Sequence, residues 1–199
     1  YLTETALGPA ALKRPHDVNR GRQQRRNALP EQLRSDYLRR FAGQQKVNDY
    51  VQASLAGMKL AGPEFMQVFE LQNESKALRA RYGGEFGQRC LLARRLVQQG
   101  VRFVEVSFNL NFINGTGWDT HNDGQLKQHI LIQQLDQALA TLVKDLKNSK
   151  LLDKTLIVVS SEFGRPPEFD AGGGRGHYSK AFSVALTGGG LRNGRAVGV

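Results

Sequence analysis

From Pro30 to about residue 82, apolar residues recur at spacings of three and four, the period of helices that bury one face. "PEQLRSDYLRRFAGQ" sets Leu33, Tyr37, Leu38 and Phe41 along one side, with Pro30 suited to a first helical turn. "VNDYVQASLAGMKLA" repeats the pattern with Val47, Val51, Leu55 and Met58, and "GPEFMQVFELQ" with Phe65, Val68, Phe69 and Leu71. Several helices with short breaks are therefore predicted, their aromatic and Met positions belonging to a core. Residues 1–29 lack this period; their Gly, Pro and clustered Arg predict a basic loop segment. The organisation expected is a loop over 1–29, a helical insertion or subdomain over 30–82, and a third part over 83–199.

In that third part the pattern changes. "FGQRCLLARRLVQQG", residues 86–100, predicts a helix stopped by Gly100. "VRFVEVSF", residues 101–108, predicts a buried strand through Val101, Phe103, Val104 and Val106. Over residues 124–149, Leu131, Leu135, Leu139, Leu142 and Leu146 form one helical stripe, with Lys144, Lys147 and Lys150 toward the C-terminal end, where cations suit the helix dipole. "TLIVVSS", residues 155–161, is nearly continuous in apolar residues, as in strands covered on both faces, and "AFSVALT", residues 181–187, predicts another. Strand, helix, strand, loop and strand in that order predict an α/β fold with a mostly parallel sheet flanked by helices. Such sheets bind ligands beyond the carboxyl ends of their strands, which directs attention to the loops after Phe108 and Ser161.

Those loops hold the candidate chemistry. "GTGWDTHND", residues 115–123, carries Asp119 and His121; Glu162 opens the second loop, and "GRGHYS" supplies His177 near its end. Oxygen and nitrogen donors in this mixture suit zinc, manganese or a similar divalent ion. Each has a plainer alternative: Asp119 an Asx turn or helix cap, Asp123 a cap, His121 a solvent-facing imidazole. Glu162 is harder to dismiss, because an unpaired carboxylate at the end of an apolar strand carries a high desolvation cost. Arg165 either neutralises it or grips an anionic substrate oxygen with its planar fork. His129 falls inside a helix and is set aside. "DAGGGRGHYS" lacks the Gly-Lys-Ser/Thr of a phosphate-binding loop, so its glycines predict a flexible or closely approaching loop instead. No Gly-x-Ser-x-Gly elbow is present to carry a serine hydrolase nucleophile.

Charge alters this picture little. The formal net charge is +10, but residues 1–100 hold 17 Lys or Arg against 9 acidic residues, and residues 101–199 hold 11 against 9. The excess is N-terminal, densest in "KRPHDVNRGRQQRRN", a run with no interleaved aromatics to stack on bases, which argues against nucleic-acid binding. Cys90 has no partner for a disulfide and sits in an apolar helical pattern, as a buried thiol does. No apolar run approaches the roughly 20 residues of a membrane span, and no signal segment is visible. The ends, Tyr1 and a strand-like Ala196–Val199, predict a piece of a longer protein.

Four stretches, "FGQRCLLARRLVQQGVRFVEV", "GWDTHND", "LLDKTLIVVSSEFGRPP" and "GRGHYSKAFSVALTGGGLRNGRAVGV", resemble in order the C-terminal part of the DUF1501 family, a domain of unknown function related to sulfatases and alkaline phosphatases. The resemblance implies an alkaline-phosphatase-like α/β domain with a helical N-terminal insertion. It implies Asp119, His121 and His177 as ligands of one metal and Glu162 as the acidic ligand of a second. Phe163 stands where metal-binding relatives have His, and the Asp119–His121 spacing is shorter than in alkaline phosphatases. It further implies hydrolysis of phosphate or sulfate esters, with Arg165 assisting at an anionic small-molecule or polymeric substrate and the nucleophile outside this chain. A catalytically degenerate scaffold or binding protein is the alternative. A periplasmic or cell-envelope location is implied by the family alone.

Overall fold

In the computed structural model, which describes residues 16–60, 63–108 and 117–198, the first helix starts earlier than the periodicity predicts. Asn19 caps α1 (Arg20–Arg40) by accepting a 2.8 Å hydrogen bond from the Arg22 N–H. The straight-chain Arg and Gln residues that follow are good helix formers, so helix is established upstream and Pro30 lies inside it. The rest of the basic segment, before residue 16, lies outside the described residues. The chain forms two units, Tyr1–Glu70 and Leu71–Val199. In the first, α1 is followed by α2 (Gln45–Leu60), the short α3 (Pro63–Met66) and a 3-10 turn at Gln67–Phe69. Arg34 ties α1 to α2 by donating to Ser54 Oγ at 3.2 Å, while Val18, Val51, Val68 and Phe69 are buried.

Among the described residues, the second unit is built on three α-helices. Ser75 caps α4 (Lys76–Tyr82) at the Leu78 N–H, α5 runs Glu85–Gln98 and α6 runs Gly124–Asn148. Tyr82, Leu91, Ala138 and Leu146 are almost fully buried where these helices meet. Gly87 is required there: a Cβ at that position would lie 1.7 Å from the Tyr82 carbonyl oxygen. Cys90 is buried as predicted, and burial pushes its thiol up to about 12.

A charged network runs through this helical core. Arg94, 6% exposed, pairs through Nη2 with Glu74 Oε1 at 2.8 Å and through Nε with Asp145 Oδ2 at 2.9 Å. The Tyr82 hydroxyl donates to the same Asp145 oxygen at 2.9 Å. Burial pushes the Glu74 carboxyl up, but Arg95 and Arg94 outweigh it and hold the group below its ordinary value of 4.5. A carboxyl held low in the folded state contributes stability that is complete above its unfolded value and lost as pH falls through the folded one. Denaturation midpoints should therefore stay level from neutral pH to about pH 5 and fall below it. Glu74→Gln should flatten part of that fall; an unaltered acid slope would remove Glu74 as a source of it.

The sheet overturns the fold predicted for this region. Among the described residues there are two strands, β1 (Leu156–Val159) and β2 (Ala185–Gly188), and they pair antiparallel with Leu156 opposite Gly188 and Val159 opposite Ala185. A mostly parallel α/β sheet of alkaline-phosphatase type is not formed. Residues 160–184 between the strands contain no helix, the usual crossover between parallel neighbours, and the returning strand runs antiparallel. Leu156 and Val158 are each 53% exposed, so β1 is not covered on both faces as its apolar run predicts. Residues 101–108 have the composition of a strand but pair with no strand among the described residues, and Phe103 is 82% exposed. Residues 196–198 likewise form no strand, and Val199 lies outside the described residues. The segment over 101–108 is anchored at its end, where the Phe108 ring stacks on Phe86 at 3.9 Å between centroids.

Candidate metal centre

The turn at residues 117–123 is held from three sides. Trp118 sets its ring edge against Phe108, with centroids 5.5 Å apart, and so serves as a packing residue, not a ligand. Thr120, 2% exposed, accepts a hydrogen bond at Oγ1 from Gln128 Nε2 of α6 at 3.0 Å, fixing the turn to the helix it precedes. On the third side lies the loop at residues 160–184. Its base is closed by reciprocal bonds between Gly164 and Tyr178, at 3.1 and 2.9 Å. Its middle then folds onto the turn: the Arg175 N–H donates to the Thr120 carbonyl at 2.8 Å, and the Asp123 N–H donates to the Gly172 carbonyl at 2.9 Å.

This docking explains the glycine run. A Cβ at Gly172 would meet Asn122 Oδ1 at 2.0 Å, and one at Gly174 would meet the Thr120 carbonyl oxygen at 2.0 Å. Backbone approaches backbone too closely for any side chain, so the sequence-based expectation of a closely approaching loop is met.

The docked loop carries His177 to the turn. His121 Nε2 lies 3.1 Å from Asp119 Oδ1, His177 Nε2 lies 3.0 Å from the same oxygen, and the two imidazole nitrogens are 3.2 Å apart. Three donor atoms thus mark a nearly equilateral triangle, partly open to solvent. The spacing suits a metal: tetrahedral zinc with bonds of about 2.0–2.1 Å separates its ligands by about 3.3 Å, and an octahedral ion at about 2.1 Å by about 3.0 Å. One carboxylate oxygen and two imidazoles are also the donor chemistry of a borderline divalent ion. Asp119, His121 and His177 are the group among the described residues that could hold one.

Two neighbours condition the triangle. Arg165 Nη2 sits 2.8 Å from Asp119 Oδ1, and its Nη1 donates to the carbonyls of Arg175 and Gly176 at 3.1 and 3.4 Å. The guanidinium is therefore committed to the site's own walls. Burial raises the Asp119 carboxyl, but hydrogen bonds from Arg165 and His177 and the charge of Arg165 outweigh it and hold the group below the ordinary Asp range. Phe163 packs against the His177 imidazole with centroids 4.4 Å apart, placing an apolar wall beside that ligand.

The structure does not bring Glu162 into the cluster. β1 ends at Val159, the Glu162 side chain is 64% exposed, and its nearest charged contact is Arg165 at 4.0 Å. The desolvation that made Glu162 stand out in the sequence is absent because the strand end is open. His129 lies apart on α6, bonded to Gln133 one turn on. Asp170 was not singled out by sequence, yet its Oδ2 lies 3.1 Å from His121 Nδ1. The only signal was its place at the head of the glycine run, which does not distinguish a partner of His121 from a turn residue.

A comparison with protein families finds that the model of one described as "Protein of unknown function (DUF1501)" matches residues 2–199. No curated protein and no solved structure matches the chain.

Proposed function

We propose, for a chain that belongs to the DUF1501 family, that the corner formed by residues 117–123 and 160–184 is the metal-binding part of a hydrolase acting on phosphate or sulfate esters. The observation that carries this reading is the triangle of Asp119 Oδ1, His121 Nε2 and His177 Nε2, with edges of 3.0 to 3.2 Å. When bound there, a divalent ion would supply positive charge for an ester oxyanion. Asp119 and the two imidazoles would hold it. Arg165 keeps Asp119 ionised and oriented, and stands beside the ion as a second fixed positive charge. The nucleophile in this reading comes from residues outside the chain, and Glu162 on the open rim has no part in holding the ion.

The commitment of Arg165 to Asp119 and the Phe163 wall on His177 support a single ion over a pair. They also favour a second reading, a member of the family that has lost catalysis and serves as a binding or scaffold protein in the cell envelope. Both begin from the same test. Chelator-treated protein titrated with Zn²⁺ should bind one equivalent, and His121→Ala and His177→Ala should each weaken it by on the order of 100-fold or more, since each loses a ligand outright. Unchanged stoichiometry and affinity in both variants would sink the metal centre. Zinc binding without turnover of aryl phosphate or aryl sulfate would favour the scaffold reading.

A further inference from the structure

His121 lies between two carboxylates, one at each ring nitrogen: Asp119 Oδ1 at 3.1 Å from Nε2 and Asp170 Oδ2 at 3.1 Å from Nδ1. A neutral imidazole carries one N–H, so the two carboxylates compete for a single proton, and only one outcome leaves a ligand. If the proton goes to Nε2 it points into the triangle and occupies the position an ion would take. If it goes to Nδ1, the Nε2 lone pair faces Asp119 Oδ1 and His177 Nε2.

The backbone builds Asp170 into the second arrangement. Its N–H donates to the Gly174 carbonyl at 2.8 Å and its carbonyl accepts from the Gly173 N–H at 2.9 Å, closing a tight turn. Gly173, at φ +76°, takes the left-handed conformation that turn requires. The same turn is the one docked on Thr120 and Asp123, so the backbone bonds that deliver His177 also deliver Asp170 to the far side of His121. On the near side, Asp119 already accepts from Arg165 at 2.8 Å, which reduces its hold on the His121 proton.

We infer that Asp170 is a positioning residue of the metal centre: it takes the Nδ1 proton of His121, fixes the tautomer whose Nε2 is free to bind an ion, and locks the ring plane. The inference rests on the metal-binding reading above and extends it to a residue that touches no ion. Carboxylates in this role commonly tune metal affinity by about 10–100-fold when removed.

The test uses the full chain, with Zn²⁺ as probe, in wild type, Asp170→Ala and Asp170→Asn. The Asp170 side chain is 39% exposed and outside the helical core, so the alanine variant should keep its fold, to be checked by an unchanged denaturation midpoint. Asp170→Ala should lower Zn²⁺ affinity by about 10–100-fold at unchanged stoichiometry. Correlation of ring ¹H and ¹⁵N signals in the metal-free protein should place the His121 proton on Nδ1 in wild type and on Nε2 in Asp170→Ala. Asp170→Asn, whose amide oxygen accepts the same bond, should restore the wild-type tautomer and recover affinity. A merely structural aspartate would not move the tautomer. The same ring proton position in wild type and Asp170→Ala overturns the inference, whatever the affinity. If wild type binds no Zn²⁺, the metal reading fails by itself, while the tautomer comparison still decides what Asp170 does to His121.

Discussion

Replacing Arg94 with Ala should lower the unfolding free energy by about 3–5 kcal/mol, the range for removing one partner of a buried ion pair. Arg94 is 6% exposed and serves two acids, Glu74 at 2.8 Å and Asp145 at 2.9 Å. Taking it away leaves Glu74 with Arg95 alone, and Tyr82 then donates to an Asp145 that has lost its counter-charge. The cost comes mainly from the charge so stranded on Asp145, and so it should shrink in Arg94→Met combined with Asp145→Asn and Glu74→Gln. Arg89 is the control. It pairs with Glu85 along the same helix at 3.2 Å, but the Glu85 side chain is 49% exposed, and Arg89→Ala should cost no more than about 1 kcal/mol. Denaturant midpoints at constant slope give both values; an Arg94→Ala loss no larger than that of Arg89→Ala would show the network to be incidental.

The contrast between the helices and the sheet shows what a sequence discloses. α5 and α6 appear within a residue or two of where the periodicity of "FGQRCLLARRLVQQG" and of the Leu stripe placed them, because a helix satisfies its own backbone and needs one apolar face. A strand does not satisfy itself. "VRFVEVSF" and "TLIVVSS" are both rich in β-branched and apolar residues, yet the second finds a strand partner in Ala185–Gly188 and the first finds none among the described residues. Apolar content gives strand propensity, while pairing and direction depend on segments far along the chain. The candidate site divides along the same line. Asp119, His121 and His177 were legible because their donor atoms are characteristic of metal ligands, and they do come together. Glu162 drew attention through the expectation of a buried strand end, whereas β1 ends at Val159 and the Glu162 side chain is exposed. Asp170 was invisible because its role depends on a turn that places it behind His121, and that turn follows from contacts no local pattern records.

Gly174→Ala should abolish the centre without touching the helical core. The added Cβ would stand 2.0 Å from the Thr120 carbonyl oxygen and 2.3 Å from the His121 carbonyl carbon, both backbone atoms with no side-chain freedom to yield. The loop must then withdraw from the turn, and the Arg175 to Thr120 bond that docks it is lost with the withdrawal. His177 and Asp170 both ride on that loop, so one methyl group displaces a ligand and the partner of another. Zn²⁺ affinity should fall on the order of 100-fold, a loss comparable to deleting His177 itself, because a centre held about 1 Å too loosely no longer pre-forms its geometry. Helix content and the denaturation midpoint set by the α4–α6 core should stay close to wild type, since Leu91, Ala138 and Leu146 lie in a part of the unit the loop does not build. Gly176→Ala in the same loop separates close approach from mere loss of glycine. Its Cβ would meet only Asp170 Oδ1, at an ordinary 3.6 Å, and Zn²⁺ binding should survive. Equal Zn²⁺ affinity in the two variants would mean that the glycine-mediated docking is not what brings Asp119, His121 and His177 together.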